Sequence, residues 1–190
     1  MTMNAHIIIV SGLPRSGTSL MMQMLDNGGV AVVTDGIRTA DTDNPKGYYE
    51  FERVKSIKRD ASWLPETRGK AFKMISQLLY DLPSSERYRI IFMERDFDEM
   101  LASQEKMLDR LGKPAAPRDQ IKGAYTVHLN RLQEWLARQA NIELLRISYK
   151  ALLAQPVEHA QRVRQFLGGD VDIERMVSTV DPSLYRNRKP

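Results

Sequence analysis

The chain contains no cysteine, which excludes disulfides, thiolate metal sites and cysteine nucleophiles. It also lacks any apolar run near the ~20 residues that a membrane span needs. Its first apolar stretch, Ile7–Val10, runs directly into a glycine turn, with no basic segment before it and no small-residue cleavage site after it. It is therefore not read as a signal peptide. A surplus of one charge is missing too. The 28 Lys and Arg against 24 Asp and Glu leave a formal charge of +4, and the basic residues are dispersed among acids rather than gathered in a stripe. A nucleic-acid partner is not expected from that pattern. No internal repeat, low-complexity tract or linker interrupts the 190 residues. One domain spanning 1–190 is expected, burying roughly 70% of its unfolded surface. These absences suit a reducing cytoplasm.

What the sequence does contain is an alternation of strand-like and helix-like segments. His6–Val10 is a short β-branched apolar run of the kind buried on both faces. Gly17–Asn27 reads as a helix stopped by Gly28-Gly29, and Val30–Val33 as a second strand. Thr34–Gly47 is polar and carries Gly36, Pro45 and Gly47, so it is read as a loop. Further on come a helix over Phe51–Arg59, a short strand or helix start over Ala71–Ile75, a strand over Arg89–Met93 and a helix over Phe97–Leu111. Ile121, Tyr125, Leu129, Leu132 and Leu136 recur at helical spacing. Ile142–Ile147 is another strand, and Val157–Leu167 another helix, with Pro156 at its start and Gly168-Gly169 at its end. Such alternation predicts a three-layer α/β/α fold around a mostly parallel sheet, with ligands beyond the carboxyl ends of the strands.

The most informative residues fall at that end. Between the first strand and the first helix stands Gly12-Leu13-Pro14-Arg15-Ser16-Gly17-Thr18-Ser19. Two glycines permit a tight turn that converges backbone N–H groups on one point, where the helix dipole also favours an anion. Ser16, Thr18 and Ser19 add hydroxyl donors, and Arg15 adds a planar fork suited to phosphate or sulfonate. The lysine that follows the second glycine in nucleoside-triphosphate loops is absent, since Thr18 follows Gly17. No apolar strand ends in an Asp able to hold magnesium; the 89–93 strand ends in Glu94-Arg95.

These residues resemble the P-loop sulfotransferases that use 3′-phosphoadenosine 5′-phosphosulfate. Pro14 to Ser19 is similar to that family's 5′-phosphosulfate loop. A strand ending in Arg, followed by a Ser eight positions later, resembles its second signature, here Arg95 and Ser103. Tyr149, Pro156 and Phe166-Leu167-Gly168 resemble a third. The resemblance spans about Ile7 to Gly169. It implies that Arg15, Ser16, Gly17, Thr18 and Ser19 hold the 5′-phosphosulfate, that Arg95 and Ser103 hold the 3′-phosphate, and that Tyr149 lies at the adenine. The residues alone leave Arg95 free to pair instead with Asp96, Asp98 or Glu99.

The resemblance also implies cations on the leaving oxygen, assigned to Arg15 and Lys73, and a base for the acceptor. The family's His shortly after the matching lysine is missing from Lys73-Met74-Ile75-Ser76, so Glu50 is the expected base, with Glu52 and Asp35 as rivals. His6, His128 and His159 are read as structural or exposed. The aromatic that stacks on adenine in relatives is replaced by Leu20, and Trp63 and Trp135 are read as core. The basic tail 184–189 is a candidate to close over the 3′-phosphate. No metal is expected. The acceptor is a hydroxyl- or amine-bearing small molecule or biopolymer, and a homo-oligomer stays open. Two competing readings are a catalytically inactive nucleotide binder of the same fold and a magnesium-dependent P-loop kinase.

Overall fold

The computed structural model describes residues 6–37, 41 and 47–181. Its centre is a four-stranded, all-parallel sheet in the order β2-β1-β3-β4, with β1 at Ile7–Gly12, β2 at Ala71–Ile75, β3 at Tyr88–Glu94 and β4 at Ile142–Ser148. Every residue of β1 is buried, because it is paired on both edges and covered on both faces. Ile8 and Val10 look to one side, into a core shared with α1 (Thr18–Asn27), α4 (Tyr149–Ala154), α5 (Pro156–Leu167) and α6 (Ile173–Ser178). Ile7 and Ile9 look to the other, onto Trp63, Phe72 and Leu132, the last from α3 (Arg118–Leu136). Period-two alternation of a continuously apolar strand thus produces three layers, each buried Ile or Val contributing about 1.5–3 kcal/mol. The three-layer α/β/α expectation holds.

Most segments match their sequence patterns. The helix after β3, α2, runs Phe97–Arg110 and is capped by the Asp96 carboxylate, which accepts from the amides of Asp98 and Glu99. α5 starts on Pro156 and stops at Gly168, whose φ of 65° is left-handed. Trp63 packs edge-on against Phe51 and Phe72, as a core residue should. Several segments differ. Val30–Val33 forms no full strand; it touches β2 through one parallel bridge, Val32 to Ala71, and two backbone bonds of 2.8 Å. The reason lies just downstream, where Thr34 Oγ1 and the Asp35 amide both donate to the Glu50 carbonyl and lead the chain away. The 51–59 helix shrinks to a 3-10 turn at Glu52–Ser56. α4 and α6 were not anticipated; six residues are too few for a periodic signal, although Ser148 and Asp172 cap them by accepting from Ala151 N and Arg175 N. The basic tail 184–189 and most of the 38–46 loop lie outside the described residues. Among the described residues no helix is long and apolar enough to cross a membrane.

All three histidines are held below their ordinary pKa, chiefly by burial. His6 adds the repulsion of Arg89, although Glu143, 3.3 Å from its Nε2, works the other way. The folded chain therefore binds fewer protons than the unfolded chain once pH falls below about 6.5, so stability is intact above that value and is lost as pH drops through it. Urea unfolding midpoints should fall steadily from pH 7.5 to pH 5.5. An unchanged midpoint across that window would show that the histidines stay as protonatable as in the unfolded chain.

Candidate active site

The sheet register brings the candidate residues to one edge. Gly12, the last residue of β1, lies opposite Ile75 of β2 and Met93 of β3, and β3 then delivers Arg95 to the same level. The loop after β1 closes over this edge because two glycines allow it. A Cβ on Gly12 would stand 2.5 Å from Ser16 Oγ and 2.6 Å from the Met93 carbonyl oxygen. A Cβ on Gly17 would stand 2.3 Å from the Tyr149 ring, and Gly17 has a φ of 100°. Only residues without a side chain satisfy both contacts and the left-handed backbone.

The loop leaves donors pointing inward. No side chain caps α1, so the first-turn amides at Thr18 and Ser19 keep no helical acceptor. Ser16 Oγ is buried and has no hydrogen-bond partner among the described residues. A buried hydroxyl without a partner costs about 1–3 kcal/mol, a cost that an oxygen-rich ligand removes. These are the features of an anion cradle at a helix N-terminus.

Two cation clusters flank the cradle. The first joins the loop to β3 and α2. Arg15 adopts a left-handed φ of 68°, which turns its side chain so that Nε donates to Ser103 Oγ at 3.0 Å. Arg95 Nη1 donates to the Arg15 carbonyl at 3.3 Å, its Nε pairs with Glu99 at 3.2 Å, and its guanidinium lies 4.6 Å from the centre of the Tyr149 ring. Arg95 thus pairs with Glu99, one of the three acids open to it in the sequence. Tyr149, buried at 8% exposure, is the strut between Gly17 and Arg95. Burial also pushes its hydroxyl pKa up. The sequence places Arg15 and Ser103 at opposite ends of a nucleotide, whereas the structure bonds them directly.

The second cluster lies across the loop, at β2. Lys73 donates to the Tyr48 carbonyl, which also accepts from Ser19 Oγ at 3.4 Å, and its ammonium is 3.6 Å from Glu50. One backbone oxygen therefore gathers the lysine and the start of α1. Glu50 reaches this cluster while its rivals do not. Asp35 accepts from the Glu52 amide, a bond that lowers its pKa, and Glu52 pairs with Lys55. Sequence reasoning missed the Tyr48 carbonyl, since a backbone acceptor carries no residue-type signal. Glu99 was among the three acids the sequence offered Arg95, and its i,i+4 separation is the feature that could have singled it out.

A model of the sulfotransferase domain matches residues 5–189, which is nearly the whole chain. No curated protein matches it. Among solved structures, a sulfotransferase from Alicyclobacillus acidocaldarius is similar at a TM-score of 0.53, covering 94% of this chain and 87% of that one at 15% identity. That likeness bears on the fold, while the family match bears on the chain as a whole. With a glycine cradle between two cation clusters at the carboxyl edge of a parallel sheet, the chain belongs to the sulfotransferase domain family.

Proposed function

We propose that this enzyme moves a sulfuryl group from 3′-phosphoadenosine 5′-phosphosulfate to a hydroxyl or amine acceptor. One observation carries the reading: the anion loop and the β3–α2 cation site touch, through Arg15 Nε on Ser103 and Arg95 on the Arg15 carbonyl. A nucleotide with phosphates at both its 3′ and 5′ ends needs two anion sites a short distance apart, whereas a triphosphate needs one elongated site. The loop glycines, the open α1 amides and the unpartnered Ser16 hydroxyl fit an oxygen-rich 5′-phosphosulfate.

In this reading the α1 amides, Ser16, Thr18 and Ser19 grip the 5′-phosphosulfate, and Arg95 with Ser103 grips the 3′-phosphate. Arg15, reaching from loop to Ser103, neutralises charge on both. Tyr149, nearly buried, meets the adenosine along its edge. Lys73 stands next to Ser19 through the shared Tyr48 carbonyl, and supports the phosphate oxygen on which charge builds as the sulfuryl group departs. Glu50, held by Lys73, faces the acceptor as a proton acceptor. The residues bind, align and stabilise; such transfer depends on in-line positioning and placed cations.

Three outcomes test these roles. Arg95→Ala should weaken 3′,5′-adenosine bisphosphate about 10- to 100-fold, since a lost charged hydrogen bond costs about 1.5–3 kcal/mol, while leaving AMP affinity nearly unchanged. Isothermal calorimetry with both ligands decides, and equal weakening would displace the 3′-phosphate from Arg95. Arg15→Ala should abolish transfer of labelled sulfate with the fold intact, and a variant with normal turnover would remove Arg15 from the mechanism. Glu50→Gln should lower kcat at least tenfold with bisphosphate affinity retained; an unchanged kcat would leave Glu50 as a mere counter-charge to Lys73.

A further inference from the structure

The sheet face that α3 covers is apolar except at its carboxyl edge. Ile7 and Ile9 on β1, with Phe72 and Met74 on β2, belong to the α3-side core. Two polar positions continue the same face by strand alternation, Ser11 on β1 and Ser76 just beyond β2. Ser11 lies opposite Met74 and Phe92, is fully buried, and its hydroxyl has no hydrogen-bond partner. Ser76 is fully buried too, and its Oγ lies 2.9 Å from Nε2 of His128 on α3. A buried hydroxyl with no partner, on the same face as a buried serine bound to a half-buried histidine, is costly in apolar surroundings, and a polar guest there would relieve the cost.

The Ser76–His128 contact allows two proton arrangements, one for each imidazole tautomer. In one of them Ser76 Oγ turns its proton to Gln77 Oε1, 3.4 Å away. Ser76 then accepts from His128 Nε2–H, and the lone pair of the neutral ring rests on Nδ1, the tautomer that carries a base. Burial alone depresses the pKa of His128, and the titratable ring packed on it is that of Tyr80, 6.0 Å away. Ser76 follows Ile75, which lies opposite Gly12 of the anion loop, and Lys73 precedes it by three residues on the same strand. The imidazole therefore stands at the level of the proposed transfer, on the α3 side. Alternation puts Lys73, and with it Glu50, on the α1 side.

We propose that His128 is a further catalytic residue of this enzyme, a second proton acceptor that receives acceptor hydroxyls from the α3 side of the sheet. The inference rests on the sulfuryl-transfer reading above. In the step, the acceptor O–H gives its proton to Nδ1 while its oxygen bonds to sulfur. The sulfur–oxygen bond to the 5′-phosphate breaks, its electron pair stays on the phosphate oxygen, and the imidazolium returns its proton to solvent. Ser76 holds the ring.

His128→Gln separates this role from a structural one. The glutamine amide can still donate to Ser76 from the position of Nε2, but it carries no base. With labelled donor, and water or a hydroxyl panel as acceptor, the variant should lose about 100-fold in kcat. Its melting temperature and its affinity for 3′,5′-adenosine bisphosphate should be unchanged, and the acidic side of the wild-type kcat–pH profile should change shape. Wild-type kcat and an unchanged pH profile in the variant would overturn the inference and return His128 to packing. A wild-type protein that neither binds the bisphosphate nor turns over the donor would overturn the transfer reading itself.

Discussion

Everything at the carboxyl edge of the sheet depends on how closely the β1–α1 loop lies down on it. Gly12 sits where any side chain would strike the Met93 carbonyl, and Gly17 where one would enter the Tyr149 ring. That contact is a backbone-to-sheet and backbone-to-ring fit, and the interior has no slack to absorb a methyl group. It sets the height of the α1 amides and turns Arg15 into its left-handed conformation. It also brings the Arg15 carbonyl to Arg95 and the Arg15 side chain to Ser103. If the loop were lifted by even an ångström, the two cation clusters would cease to flank one cradle.

The architecture was legible because its signals are local and strong. Ile7 to Val10 is an uninterrupted apolar run that leads into a glycine turn, and β3 carries a similar run, Ile90–Met93, before Arg95. Helix ends announced themselves through Asp96, Pro156 and Gly168. The loop motif named its residues because chemistry ties glycines, hydroxyls and a guanidinium to anions, and the resemblance to the family added Arg95 and Ser103. What stayed hidden is non-local. Whether Val30–Val33 becomes a strand depends on the pull of Glu50, twenty residues downstream, on Thr34 and Asp35. The direction of the Arg15 side chain depends on a backbone angle that L-residues seldom adopt. The meeting of Ser19 and Lys73 on the Tyr48 carbonyl has no side-chain signature at all. His128 reads as a helix residue until its partner, 52 positions away, is seen.

The placement of acids in a site built for anions follows from the same geometry. Arg15 and Arg95 are in backbone contact, and Arg95 is almost wholly buried. Without an anion, like charges so close in a poorly solvated place repel and lose hydration. Glu99, itself buried, answers Arg95 at 3.2 Å, and Glu50 answers Lys73 at 3.6 Å. Each carboxylate holds its cation in one orientation at no net charge, so the guanidinium and ammonium are set before a ligand arrives. Preorganised charge of this kind stabilises a transition state without a reorganisation cost at the moment of reaction.

The two pairs are nevertheless unequal, and the inequality fits different tasks. The Arg95–Glu99 pair is one helical turn apart, with both partners buried and the guanidinium lying over Tyr149, so it is fixed on every side. A fixed cation suits the end of a nucleotide that binds and does not react. Lys73 and Glu50 are more exposed, at 13% and 23% of their side chains, and come from a strand and a loop. Lysine is a compact charge on a flexible stem, able to follow a leaving oxygen as charge moves onto it. Partly exposed, this pair is the one that a molecule arriving from solvent can reach. A closed pair on the β3 side and a more open pair on the β2 side therefore flank the glycine loop unequally.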